Sequence, residues 1–140
     1  MTLIELVISV TIIIMISTLC FPKIDLSKYQ IDLFTKQLAS DIRFVRKENI
    51  VGNSGTYILF KSEGKLNSYI VRKDGLDLKE VNLIDNVNLL YNNGKINFKR
   101  DGTPNPKGQT IYIYNKNIKK EITIVPVSGR VLLKEGKYET

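Results

Sequence analysis

The stretch MTLIELVISVTIIIMISTLCFP, residues Met1–Pro22, determines how this chain is organised, because it holds a single charged side chain, Glu5. Every other residue in it is apolar, small or carries a hydroxyl group. A carboxylate left alone in apolar surroundings costs at least ~2.5–3.5 kcal/mol. Glu5 therefore either lies at the edge of a membrane or is paired with a cation. The cation we expect is the amino group of Met1 in a neighbouring copy of the chain, shifted along the helix axis.

The same stretch is just long enough to cross a membrane. Leu6–Pro22 is free of charge over 17 residues. A helix rises about 1.5 Å per residue, so the run spans roughly 25 Å, close to the apolar thickness of a bilayer. Hydropathy thus predicts a single-pass membrane helix. A cleaved secretory signal is disfavoured, because the run has no basic segment before it and no small-residue cleavage site after it.

The string Met1-Thr2-Leu3-Ile4-Glu5-Leu6, followed by an apolar run and Pro22, resembles the mature N-terminus of type IV pilins and pseudopilins. The resemblance implies removal of a short basic leader by a prepilin peptidase, N-methylation of Met1 and docking of the subunit through Glu5. We expect that leader to be already removed, or omitted from the sequence. Pro22 lacks a backbone N–H and is expected to kink the helix. An ordinary single-pass anchor is the alternative interpretation.

Composition excludes several kinds of site. The chain has 140 residues, a formal net charge of +7, one cysteine and no histidine. Cys20 has no partner within the chain, so no intramolecular disulfide can form. Without histidine, neither a Cys/His metal site nor a histidine-based catalytic triad can be built. Since the sequence also lacks a glycine-rich phosphate loop, we predict no cofactor, no metal site and no enzymatic activity.

A second helical segment, residues 23–52, has apolar residues at steps of three and four, which marks one face of a helix. This face consists of Ile31, Phe34, Leu38, Ile42 and Val45. We expect Leu33 and Phe44 to widen it. The residues expected on the opposite, outer side are Asp32, Lys36, Asp41, Arg43 and Lys47. Gly52-Asn53-Ser54-Gly55 ends the helix, because these residues tolerate left-handed backbone angles.

Beyond Gly55 apolar and polar residues alternate, which indicates β-strands. Three hairpins are predicted, with turns rich in polar residues and glycine: 56–60 with 68–72, 87–91 with 96–99, and 109–114 with 121–125. Residues 130–134 form a last strand after the Ser128-Gly129 turn. A further turn is predicted at Asp74-Gly75. Residues 101–108 hold too much proline and glycine for regular structure.

These patterns predict an α+β fold, in which a long N-terminal helix packs on an antiparallel β-sheet head. The helix is apolar in its first half, kinked near Pro22 and amphipathic in its second half. The predicted organisation is a membrane and filament-core segment, 1–22, and a globular head, 23–140, with its strands within 56–135. The helix end around Arg46 and the final Gly129-Arg130-Val131 strand are similar to those of GspH/FimT-type minor pseudopilins.

The basic residues of the head suggest two interpretations. Lys116, Lys119 and Lys120 lie near one predicted hairpin tip and could make weak phosphate contacts with DNA. Tyr112 and Tyr114 could stack against bases, although they alternate with isoleucines and are better explained as one face of a strand. The interpretation we favour is that these charges form an ordinary solvated surface.

The sequence therefore predicts a minor pilin or pseudopilin, a structural subunit of a type IV pilus or of a type II secretion-like filament. Before assembly it would be a single-pass protein of the inner or cytoplasmic membrane with an exported head, and afterwards part of a cell-surface filament. Its expected partners are other pilins or pseudopilins, a prepilin peptidase and the assembly platform. The alternatives are a competence pseudopilin in DNA uptake and a membrane-anchored extracellular binding domain that does not polymerise.

Overall fold

A computed structural model of the chain describes residues 2–20, 26–63, 66–83, 87–116 and 118–136. Within these ranges the chain forms two helices, α1 (Leu3–Cys20) and α2 (Leu26–Val51), followed by nine strands. The strands are β1 (Thr56–Glu63), β2 (Leu66–Lys73), β3 (Leu76–Asn82), β4 (Asn88–Leu90), β5 (Lys95–Phe98), β6 (Pro104–Asn105), β7 (Thr110–Tyr114), β8 (Lys119–Ile124) and β9 (Val131–Gly136). The predicted α+β class, helix followed by antiparallel strands, is confirmed.

The strands divide into two antiparallel sheets. The first sheet has the order β3-β2-β1-β5-β6 and the second has the order β4-β7-β8-β9. Two of the predicted hairpins, β1 with β2 and β7 with β8, are confirmed. The predicted last strand is also confirmed as β9, and it pairs with β8. The turn at Asp74-Gly75 is also confirmed, with φ angles of 50° and 86°, and it leads into β3, which was not predicted.

The predicted hairpin between residues 87–91 and 96–99 is wrong. Strand β4 pairs with β7 in the second sheet, whereas β5 pairs with β1 and β6 in the first. The connection runs through Asn93, whose backbone N–H donates to the Gln109 side chain at 2.8 Å and whose backbone oxygen accepts from it at 3.2 Å. Gln109 therefore holds this segment open as a crossing from one sheet to the other.

Helix α2 packs one face against both sheets and supplies the centre of the core. The five residues predicted for this face, Ile31, Phe34, Leu38, Ile42 and Val45, are all buried. Two other predictions for α2 are wrong. Leu33 and Phe44 are 50% and 42% exposed, so they do not widen the buried face. Asp41, expected on the outer side, is 9% exposed, because polar groups of the first sheet surround it.

The buried carboxylate of Asp41 connects α2 to the first sheet. The Tyr69 hydroxyl donates to it at 2.6 Å, the Lys79 ammonium at 3.0 Å and the Gln37 amide at 3.1 Å. Burial raises the pKa of Tyr69, and the hydrogen bond to Asp41 raises it further. A buried charge is tolerated when it is paired and hydrogen-bonded, and this one satisfies both conditions.

We expect Asp41→Ala to lower the free energy of unfolding by about 3 kcal/mol, because it leaves the buried Tyr69 hydroxyl without its acceptor and also removes the ion pair with Lys79. Chemical denaturation of a fragment that begins at Leu26 would measure the change. The matched control is Asp77→Ala, which removes an ion pair with Arg72 at the surface and should change stability little. Equal losses in the two variants would contradict the role given to Asp41.

Arg46 on α2 joins one loop from each sheet. Its Nε donates to the backbone oxygen of Gly102 at 3.1 Å, and one terminal nitrogen donates to that of Ser128 at 3.0 Å. Gly102 precedes β6 and Ser128 precedes β9, so this side chain fastens the two sheets together at the C-terminal end of α2. Gly129, at φ 64°, touches the Gly102 backbone so closely that it leaves no room for a Cβ atom.

Candidate assembly surface

Glu5, the predicted docking residue, lies in the first turn of α1. Its carboxylate accepts hydrogen bonds from the backbone N–H of Thr2 at 2.8 Å and from the Thr2 hydroxyl at 3.2 Å. Thr2 precedes the first helical residue and Glu5 lies three residues later, which is the spacing of a capping box. Within one copy of the chain, Glu5 thus caps its own helix. This contact was not predicted, although the Thr-x-x-Glu spacing was visible in the sequence.

Two of the predicted site residues cannot be placed. Met1, expected to be methylated and to pair with Glu5, lies outside the described residues, as does Pro22, the expected kink. Helix α1 ends at Cys20, before residues 21–25, and helix α2 begins at Leu26, after them. Processing at Met1, docking through Glu5 and the kink at Pro22 all stay predictions.

The side chains of α1 that the structure describes are exposed on every side of the helix. Its large apolar residues range from 47% exposed at Val10 to 84% exposed at Leu3. None of the helices in the described ranges reaches the combination of length and apolar character that a membrane crossing requires. A continuous apolar surface of this size marks a surface that another molecule covers.

The hydroxyl groups of α1 are bonded within the helix itself. Ser9, Thr11 and Ser17 donate to the backbone oxygens four residues earlier, at 2.7–2.8 Å. Thr18 donates to the oxygen of Met15 at 2.8 Å. A helix in apolar surroundings has to satisfy its polar groups internally, because no water is available to do so. The local structure of α1 thus suits a water-free environment.

Helix α2 carries a second apolar row on the side away from the head. This row, the outward stripe, consists of Leu26, Tyr29, Leu33, Phe44 and Val51, which are 42–71% exposed. The steps between them, three, four, eleven and seven residues, keep them on one side of an α-helix. The buried face and the outward stripe lie on roughly opposite sides, so α2 can contact the head and a second apolar element together. The spacing could have revealed the stripe, had Leu33 and Phe44 not been assigned to the buried face.

The three lysines proposed to contact DNA do not form one exposed cluster. Lys116 is exposed, and the Lys119 ammonium lies 4.5 Å from the centre of the Tyr112 ring. Lys120 is 6% exposed and forms an ion pair with Asp32 on α2 at 2.7 Å. Lys120 thus binds the helix to the second sheet. Weak DNA contact stays the interpretation that we do not favour, and of these three lysines Lys116 is exposed and Lys119 is partly exposed.

Four acidic side chains in the described part of the head form ion pairs with basic side chains of the chain. The four ion pairs are Asp32 with Lys120, Asp41 with Lys79, Glu48 with Lys73 and Asp77 with Arg72. Hydrogen bonds from Lys73 and then Asn53 lower the pKa of Glu48. In the described part of the chain no three acidic or cysteine side chains are grouped as metal ligands. These carboxylates hold the helix and the strands in place.

The sequence matches no protein-family model and no curated protein sequence. The fold, however, is similar to that of the minor pseudopilin EpsH from the type 2 secretion system of Vibrio cholerae. The TM-score is 0.55 at 13% sequence identity, and the match covers 76% of this chain and 97% of that chain. The likeness shows that the chain has a pseudopilin-like fold.

Proposed function

We propose that the chain is a minor pilin or pseudopilin, a structural subunit and not an enzyme, that assembles with other pilins or pseudopilins into a filament. The observation that carries this proposal is helix α1, an exposed apolar rod whose hydroxyls are bonded internally and whose one carboxylate lies at its start. Such a rod gains stability only when apolar neighbours cover it. The pseudopilin-like fold of the head supports the same conclusion.

The apolar surfaces indicate how the subunits would meet. The rod α1 and the outward stripe of α2 together present apolar residues over both helices. We infer that neighbouring subunits pack against both, so that the head stays outside a helical core. The buried face of α2 would keep holding the two sheets, because it shares no residue with the outward stripe.

Membrane anchoring before assembly is part of the same proposal. The charge-free run Leu6–Pro22 would hold the subunit in the inner or cytoplasmic membrane, with the head exported, until it enters the filament. A prepilin peptidase and an assembly platform would then be its processing and assembly partners. The resemblance of the first six residues to mature pilins supports this part of the proposal.

The decisive test concerns the charge of Glu5, which we propose pairs with the Met1 amino group of an adjacent subunit. We expect Glu5→Gln to reduce incorporation into filaments at least tenfold in cells that lack the wild-type copy, because the amide cannot compensate a buried ammonium. Glu5→Ala should be at least as defective. Immunoblotting of sheared or purified filaments against total subunit would measure incorporation.

The capping box supplies the control for this test. A glutamine can also accept the hydrogen bond from the Thr2 backbone, so Glu5→Gln keeps the cap and removes only the charge. Thr2→Ala removes the hydroxyl contact and keeps the charge, and it should leave incorporation nearly normal. If Glu5→Gln assembled normally while Thr2→Ala failed, Glu5 would act as a cap alone. Normal incorporation of all three variants would show that docking needs neither the charge of Glu5 nor the cap. Absence of the wild-type chain itself from filaments would favour an anchored domain that does not polymerise.

A further inference from the structure

The head contains a polar groove on the outer face of the first sheet. It is open to solvent, has a volume of about 330 Å³ and is lined by Asn93, Lys95, Asn97, Asn105 and Pro106. This volume falls in the range of about 300–1,000 Å³ that is typical of small-molecule sites. Three amides and one ammonium line it, and no carboxylate does.

The β-strand repeat places these side chains together. Within β5, Lys95 and Asn97 are two residues apart and therefore face the same side. Asn93 precedes the strand and also lines the groove. The intervening Ile96 and Phe98 are buried in the core, which fixes the outward direction of the polar set. Asn105 is paired directly with Asn97 across β5 and β6, so the two amides lie side by side.

Several of these groups are held in position by their surroundings. Gln109, which is 8% exposed, binds the backbone of Asn93 through both ends of its amide. The Lys95 ammonium lies 4.1 Å from the centre of the Tyr57 ring. The Asn97 side-chain oxygen accepts from the backbone N–H of Phe98 at 2.8 Å, which turns its amide nitrogen into the available donor. The groove is thus organised before any ligand enters.

From this chemistry we propose that the groove binds an acidic oligosaccharide, a chain of sugars that carry carboxylates. Amides both donate and accept hydrogen bonds, which matches the two-way bonding of sugar hydroxyls. Lys95 supplies one cation for a carboxylate, and no lining residue repels it. The Pro106 ring offers an apolar wall for the C–H face of a sugar ring. This inference does not depend on assembly of the chain into a filament.

The groove fits a saccharide better than a nucleic acid. Nucleic-acid affinity comes mainly from several lysines and arginines along the phosphates, and only Lys95 lines the groove. Single strands are also held by aromatic rings on which bases stack. The nearby Tyr57 ring is already covered by Lys95. Three amides, by contrast, are suited to a ligand rich in hydroxyl groups.

The test uses the full chain in detergent micelles and a tetramer of galacturonic acid as the probe, with binding measured by calorimetry. We expect saturable binding that the double variant Asn97→Ala/Asn105→Ala weakens about tenfold or more. The fully methyl-esterified tetramer has the hydroxyls but no charge, and it should bind more weakly to the wild type. Lys95→Gln should abolish that difference between the two tetramers.

Lys119→Gln is the matched control, because Lys119 also lies over a tyrosine ring but on the second sheet. It should bind both tetramers as the wild type does. The proposal would be overturned by the absence of saturable binding, or by equal affinity in the double-asparagine variant. Displacement of the tetramer by an equal concentration of a four-nucleotide single-stranded DNA would also overturn it, because the site would then be a phosphate site.

Discussion

Leu38→Asp is expected to unfold the head. Leu38 is fully buried between α2 and the sheets, and a carboxylate there would have no cation and no hydrogen-bond donor. We expect the free energy of unfolding to fall by about 4 kcal/mol or more. This is a large part of the 5–15 kcal/mol that typically stabilises a domain. Thermal unfolding of the fragment that begins at Leu26, followed by circular dichroism, would measure the loss.

Leu33→Asp is the control for that experiment. It introduces the same side chain into the same helix, but at a residue of the outward stripe that is 50% exposed. It should leave the melting temperature of the isolated fragment almost unchanged. In the full chain the same variant should impair assembly, because it puts a charge on the proposed contact surface. Similar melting of the two variants would refute the assignment of the two sides of α2.

A second large effect is expected at Gly129, where the loops of the two sheets meet. Gly129→Ala should destabilise the head by about 3 kcal/mol. Part of the loss is the left-handed backbone at φ 64°, and the rest is a collision between the new methyl group and the backbone oxygen of Gly102. The displaced loop should also weaken the hydrogen bonds of Arg46. Chemical denaturation of the same fragment would detect this change.

Gly75→Ala separates those two causes. Gly75 has a similar left-handed φ of 86°, but a Cβ atom there would meet nothing within 4 Å. It should therefore show only the cost of the backbone conformation, about 1 kcal/mol. If Gly129→Ala lowered the free energy of unfolding no more than Gly75→Ala does, the close approach of the two loops would not contribute to stability.

The elements of this fold whose residues interact locally were predictable from the sequence. The buried face of α2 follows from the spacing of Ile31, Leu38 and Ile42, and the β1–β2 and β7–β8 hairpins follow from alternation around short turns. The error at residues 87–99 has a long-range cause. An asparagine-glycine turn favours a hairpin, but Gln109 binds the Asn93 backbone from sixteen residues away and separates the two strands. Local propensity cannot register such a contact.

The candidate surfaces were predictable to different degrees. Glu5 stood out because it is the one charge in an apolar run. Its capping contact with Thr2 could have been predicted only from the Thr-x-x-Glu spacing of a capping box. Asp41 was misplaced because a charged residue beside an apolar face is normally solvated. Its burial depends on Tyr69 and Lys79, which come from strands far along the chain. Lys120 was assigned to the surface because it lies near a predicted hairpin tip, and it is bound to Asp32 instead.

The internal bonding of the α1 hydroxyls has a consequence for how a subunit could enter and leave its surroundings. The hydrogen-bond partners of the four hydroxyls belong to the same helix and therefore move with it; the four residues are Ser9, Thr11, Ser17 and Thr18. Moving the helix from lipid tails to a protein core would thus exchange one set of dispersion contacts for another. No hydrogen bond has to break on the way. For most of the helix, the free energy in lipid would then be close to the free energy in a protein core. Whether a subunit stays in the membrane or enters the filament would then depend on the single carboxylate of Glu5 and the one ion pair that it could form.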